Sequence, residues 1–300
     1  MTVVVTVRFY TMGAAAKQHK NKIYLQKRRF KTMACRNAYK TKNIIEEVDV
    51  AETSISEPVV AKSVTRLLFG VDSKIQANDL LQNNIEEFEW VVRNKIYPNF
   101  YGRYLTGENC LTKDEIKFLH RKGCKIAAIY ADNGEKRTEE QGTILAKKID
   151  IRSLELGIPE GTVIFLEIGE NENASRDFMR GFAKALMVEG FTPGFKANTD
   201  AKFAFDREFS RGMQTDKDIF KKCLIWAVSP TVKEYNGITT SHLIHPDNRM
   251  PYAPSGLTRA EIAIWQYGVD CHPIEDDMGK VTTFNLDLVR NEQVIVEKMF

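Results

Sequence analysis

The sequence predicts an α/β protein: a (β/α)8 TIM-type barrel over residues 66–300, behind a basic N-terminal extension at 1–65. Three observations predict it. From residue 66 onward, short apolar runs alternate with longer segments of helical spacing, a pattern that implies a parallel sheet. Roughly eight such units fit into about 235 residues, the usual size of a closed eight-strand barrel. The first strand is followed by "SKIQ" and not by a Gly-rich phosphate loop, which disfavours the alternative, an open doubly wound sheet.

Each element has its own signal. "RLLFGVD" (66–72) reads as the first strand, and 75–94 as a helix with apolar residues at Leu80, Leu81, Ile85, Phe88, Val91 and Val92. "NFYGRYL" (99–105) is the second strand. The helix at 111–123 opens on Thr112 with Glu115 three residues later, a capping box, and stops at Gly123. Strands follow at 125–132, 161–170, 192–198, 222–230, 261–268 and 281–289. Helices are expected at 138–157, 174–190 and 200–212.

In a barrel the chemistry lies at the C-terminal ends of the strands. Read in order, those ends carry Asp72; Arg103 and Tyr104; Tyr130 and Asp132; Glu167 and Glu170; Asn198; Trp226; Trp265, Gln266 and Tyr267; Asn285 and Asp287. Carboxylates, rings and amides together suit a sugar, because rings stack on pyranose faces, amides bond hydroxyls and acids do the hydrolysis. Each residue also has a plainer reading, as a helix cap, an ion-pair partner or a core aromatic. Glu167 is the sharpest candidate. It interrupts the apolar run "VIFLEIG", where a carboxyl is expensive unless paired or functional, and a desolvated carboxyl is what a general acid needs. Its face-mates along the strand are Phe165 and Gly169.

Charge divides the chain. Of 43 Lys/Arg and 40 Asp/Glu, eleven basic residues and no acid fall in residues 1–45, leaving 32 basic against 40 acidic residues in the remainder. The arm could bind an anionic polymer (a nucleic acid, an acidic lipid surface or a wall polyanion) or be a solvated extension. Residues 46–65 read as a polar linker. Five cysteines without a CxxC pair argue against a zinc ribbon or a disulfide scaffold. His242, His245 and Asp247 are weakly ligand-like, and a surface loop is the better reading, so no metal or cofactor is expected. No Gly-x-Ser-x-Gly elbow is present, which speaks against serine hydrolase chemistry. No apolar run reaches the roughly 18–20 residues of a transmembrane helix. The opening "MTVVVTVRFYTMGAAA" is a poor secretory signal: it lacks a charged n-region, and Arg8 interrupts its apolar run.

Taken together, "FGVDS", "FYGRYLTG" with "CLTKDEI", "KIAAIYAD", "GTVIFLEIG", "WQYG" and "FNLDL" resemble the bacterial glycoside-hydrolase-like family, itself similar to the lysozyme-type muramidases of glycoside hydrolase family 25. The resemblance covers about 66–290, with the "GRYL…CLT..E" block its most specific part and the arm outside it. It implies a barrel with a carbohydrate cleft aimed at peptidoglycan or a related wall polysaccharide, and an extracellular or wall-associated location. Asp72, Asp132 and Glu167 resemble the family's acidic strand-end residues, and Arg103 and Tyr104 its strand-two signature. The expected roles are Glu167 as proton donor and Asp132 or Asp72 as second carboxylate. Tyr104, Tyr130, Trp226 and Trp265 would shape sugar subsites, with Arg103, Asn198, Gln266, Tyr267 and Asp287 completing the substrate contacts. Muramidases tend to carry Asp-x-Glu at the end of strand four, whereas this chain has "LEIGE", with Gly169 at one candidate acid position. Two further readings stay open: a barrel that binds wall glycan without cleaving it, and a scaffold for a working arm.

Overall fold

The computed structural model describes residues 68–81, 84–233, 250–271 and 283–300. All its elements belong to one unit, Val64–Phe300. The basic arm at 1–65 and the residues His242, His245 and Asp247 lie outside the described residues.

Eight strands close into a barrel in sequence order: β1 (Phe69–Asp72), β2 (Phe100–Tyr104), β3 (Lys125–Tyr130), β4 (Val163–Ile168), β5 (Thr192–Asn198), β6 (Leu224–Lys233), β7 (Ile264–Cys271) and β8 (Phe284–Val289). Strands β1 to β7 are parallel. β8 runs antiparallel to both β7 and β1, so the closing strand offers its N-terminal end to the mouth. Asn285 therefore pairs with Asp72 at the rim, while Asp287 pairs with Gly70 one layer deeper. The outer layer is α1 (Glu87–Arg93), α2 (Lys113–Arg121), α3 (Glu139–Leu156), α4 (Arg176–Val188), α5 (Ala204–Thr215) and the short α6 (Lys217–Phe220). Between β6 and β7 the described residues contain only a 3-10 turn, Arg259–Glu261.

The helix expected over 75–94 shrinks to Glu87–Arg93. Asn84 takes a left-handed φ of 63°, which ends helical propagation. The segment's backbone groups find other partners: Ala77 N–H donates to Glu115 Oε1 (2.8 Å), and Leu80 bridges to Glu86. The capping box at α2 forms by half. Thr112 accepts from Glu115 N–H (3.2 Å), but the Glu115 carboxylate turns into the protein. At α3 the reciprocal box of Thr138 and Gln141 is complete.

Strand alternation splits the core into two compartments. Tyr101, Ile126, Ala128, Ile164, Leu166, Phe195 and Ile225 pack outward under the helices. Phe100, Ala127, Ile129, Val163, Phe165, Trp226 and Ile264 fill the interior. Trp226 stands edge-on to Phe165 (5.2 Å between centroids) and Phe100 (6.0 Å), so the barrel has a solid aromatic floor. Gly102 makes room for it: a Cβ there would lie 2.8 Å from the Trp226 ring and 2.5 Å from the Asp72 Cβ.

One acid outside the barrel wall sets a pH dependence. Glu87 is fully buried and accepts from the Tyr101 hydroxyl at 2.8 Å. Burial pushes its carboxyl from 4.5 up to about 7, so the folded state keeps a proton that the unfolded chain releases earlier. The stability tied to this group is complete below about pH 4.5 and is lost as pH rises towards about 7, by roughly 3 kcal/mol. Glu87→Gln keeps an acceptor for Tyr101 and cannot titrate. The stability difference between wild type and Glu87→Gln, followed by urea unfolding, is expected to move in the variant's favour across that window. A constant difference would refute the assignment.

Candidate active site

Alternation also decides which side chains meet inside the mouth. Inward positions carry Asp72 (β1), Tyr104 (β2), Glu167 (β4), Lys196 and Asn198 (β5), Trp226 (β6), Gln266 (β7), and Asn285 and Asp287 (β8). Glu167 and Lys196 are direct register partners across β4 and β5, and Lys196 pairs with Trp226 across β5 and β6.

Lys196 is the hub. Its ammonium lies 3.1 Å from Asp72 Oδ2, 3.3 Å from Glu167 Oε1 and 3.4 Å from the Tyr104 hydroxyl. The Trp226 ring lies beneath it, 5.0 Å from Nζ to centroid. The attraction of these anions holds the ammonium well above its ordinary range, against the burial that opposes it. Asp72 accepts from three groups: Lys196, the Gln266 amide and Asn285 Nδ2 (2.8 Å). At 1% exposure it is saturated and out of reach. Below it, Asp287 accepts from Trp226 Nε1 at 2.8 Å and is fully buried. Burial, and the nearby charge of Asp72, raise its carboxyl well above the carboxylate range, so it keeps its proton.

Glu167 is the inward carboxyl that meets solvent, with a side chain 32% exposed. The Tyr104 hydroxyl donates to Oε1 at 2.9 Å, where Lys196 also points. Among the described residues, Oε2 has no hydrogen-bond partner. Position 169 lies on the same face but carries no side chain. The space is taken by Glu172, whose Cγ lies 3.4 Å from where a Cβ on Gly169 would be. Glu172 Oε2 accepts from Gly169 N–H (3.1 Å) and from Lys136 Nζ (3.0 Å). Asn198 Nδ2 donates to Glu170 at 2.5 Å on the rim.

Several residues that the sequence points to lie elsewhere. Arg103 is on the outward face of β2, completely buried and paired with Glu115 of α2 at 2.7 Å, with neither Asp72 nor Glu167 beside it. Tyr130, Trp265 and Tyr267 also point outward and pack in the outer core. Trp226 points inward but is a buried floor and not an exposed platform. Asp132 lies just past β3, where its Oδ2 accepts from Gly134 N–H (3.1 Å) in a local turn. The residues missed are Glu172, in the loop after β4, and Lys196. The signal of Lys196 was the one that marked Glu167, a charge inside a strand of otherwise buried type, "TPGFKAN". Among the described residues no group of three or more His, Cys, Asp or Glu is placed to hold a metal.

Residues 97–270 match the family described as Rv2525c-like, glycoside hydrolase-like domain. The chain belongs to this family. Among solved structures, an uncharacterised protein of B. stearothermophilus shares the fold, with a TM-score of 0.62 and 23% identity over 78% of this chain and 100% of that one. The Clostridium perfringens spore cortex lytic enzyme SleM gives a TM-score of 0.48 and 14% identity over 76% of this chain and 68% of its own. The Streptomyces coelicolor lysozyme gives 0.44 and 11% identity over 76% and 94%. No curated protein matches the chain. The matched residues include strands β2 to β6 and most of β7 of the closed barrel. No described helix is long and apolar enough to cross a membrane.

Proposed function

We propose that the barrel is a glycoside hydrolase acting on peptidoglycan or a related cell-wall polysaccharide. One observation carries the reading: Glu167 is fixed through Oε1 and, among the described residues, presents an unpartnered Oε2 at the mouth of a glycoside hydrolase-like barrel. The resemblance of the strand ends to muramidases supplies the substrate class.

In this reading Glu167, paired with Lys196 as a carboxylate in the resting site, takes a proton from solvent at Oε2 and gives it to the leaving glycosidic oxygen, returning to the paired form. Glu172 is the second carboxyl, reaching back over Gly169 and held by Lys136. It takes the proton of the attacking water, so hydrolysis keeps its proton balance. Asp72 holds Lys196 and does not touch the sugar. The test is digestion of purified peptidoglycan by wild type, Glu167→Gln and Glu172→Gln, read as new reducing ends. Each variant is expected to lose on the order of 10²–10⁴-fold in rate. Undiminished digestion by Glu167→Gln would sink the assignment of the acid. A wild type that binds the glycan without releasing ends would support the non-cleaving reading, which the saturation of Asp72 favours.

A further inference from the structure

Lys196 is 1% exposed, and its ammonium has three hydrogens and no lone pair. It meets three acceptors: Asp72 Oδ2, Glu167 Oε1 and the Tyr104 hydroxyl oxygen. Because an ammonium only donates, the Tyr104 oxygen accepts from it, and the phenol's single hydrogen is left for Glu167 Oε1. Two of the three contacts therefore converge on one carboxyl oxygen, one directly and one through the phenol. The third ties Lys196 to Asp72, which Gln266 and Asn285 anchor to β7 and β8. A barrel interior that needed only packing would be at least as stable with an apolar side chain of this length.

We infer that Lys196 is a positioning residue for Glu167, locking its carboxyl into one orientation in which Oε1 is held and Oε2 is left for the ligand. What Oε2 does there rests on the hydrolytic reading. The orientation itself does not.

The test replaces the buried pair with neutral groups of similar shape, Lys196→Met with Asp72→Asn, after thermal unfolding has verified the fold. Two quantities are read. The first is the Glu167 rotamer, by crystallography or by the averaging of its carboxyl ¹³C signal. The second is the kcat and KM for a soluble peptidoglycan fragment. Glu167 is expected to populate more than one rotamer. The kcat is expected to fall about 100-fold, because a displacement of roughly 1 Å costs that much. KM should stay within about threefold, since Lys196 lies beneath the sugar and does not touch it. Should the double variant fail to fold, Lys196→Gln with Asp72→Asn, which removes the ammonium but keeps polar groups at both positions, takes its place and is expected to loosen Glu167 in the same way. A single wild-type rotamer in the variant, or a kcat unchanged within threefold, would overturn the inference. A wild type that cleaves nothing overturns the hydrolytic reading, while the rotamer still decides the role of Lys196.

Discussion

Arg103→Met is expected to destabilise the barrel by about 3–5 kcal/mol, the usual cost of removing one partner from a buried ion pair. The guanidinium meets Glu115 at 2.7 Å, both side chains are fully buried, and it also donates to the carbonyls of Ser73 and Asn109 (2.6 Å for the latter). Those three contacts staple α2, the β1–α1 loop and the β2–α2 loop to the outer face of β2. Methionine fills the volume but leaves Glu115 with only the Ala77 N–H. Burial already pushes the Glu115 carboxyl upward, and Arg103 is the largest influence opposing it. In the variant Glu115 should therefore hold a proton to higher pH, and the loss should deepen as pH rises through that range. Adding Glu115→Gln is expected to recover part of the loss. Urea unfolding of the single and double variants measures both effects, and a loss below about 1 kcal/mol for Arg103→Met would show that the pair is not what holds these loops.

Arg103 also shows where the sequence stopped being legible. "FYGRYLTG" gave the strand, its end and the following turn, and the alternation of apolar runs gave the barrel. What the text of one strand does not fix is which face is inward. That choice flips with a one-residue shift, and here it sends Tyr104 into the mouth and Arg103 into the wall. The same shift separates Gln266, which holds Asp72, from Trp265 and Tyr267 on either side of it, which serve the outer core. Glu167 was legible because a carboxyl in an apolar run needs a reason. Lys196 carried the same mark on the next strand. Its meaning depends on register, since only the pairing of β4 with β5 puts the two charges together. The reversal of β8 was not legible, and it moves Asp287 from the rim to the floor. Glu172 lies past the end of its strand, in a loop whose path no periodicity describes.

The second large effect concerns the charge beneath the mouth. Asp72→Ala removes the acceptor of Lys196, Gln266 and Asn285 in one step and is expected to cost about 3–5 kcal/mol. The barrel has a partial remedy in place. Asp287 keeps its proton because it is buried and because Asp72 is charged beside it, while Lys196 pulls the other way. Without Asp72 one of the two influences holding that proton is gone, and the nearest ammonium lacks a buried counter-ion. Asp287 is then expected to ionise and take over as partner to Lys196. Asp287→Asn alone should be mild, about 1 kcal/mol or less, because an amide can imitate the neutral acid towards Trp226. Combined with Asp72→Ala it removes the substitute anion, so the double variant should lose more than the two single losses together, by on the order of 1–3 kcal/mol. Denaturant unfolding of the four proteins at neutral pH gives the cycle directly. Strict additivity would mean that Asp287 never takes the charge. It would leave Lys196 dependent on Asp72 and Glu167 alone, tying the orientation of the proposed acid even more tightly to a residue that no substrate can reach.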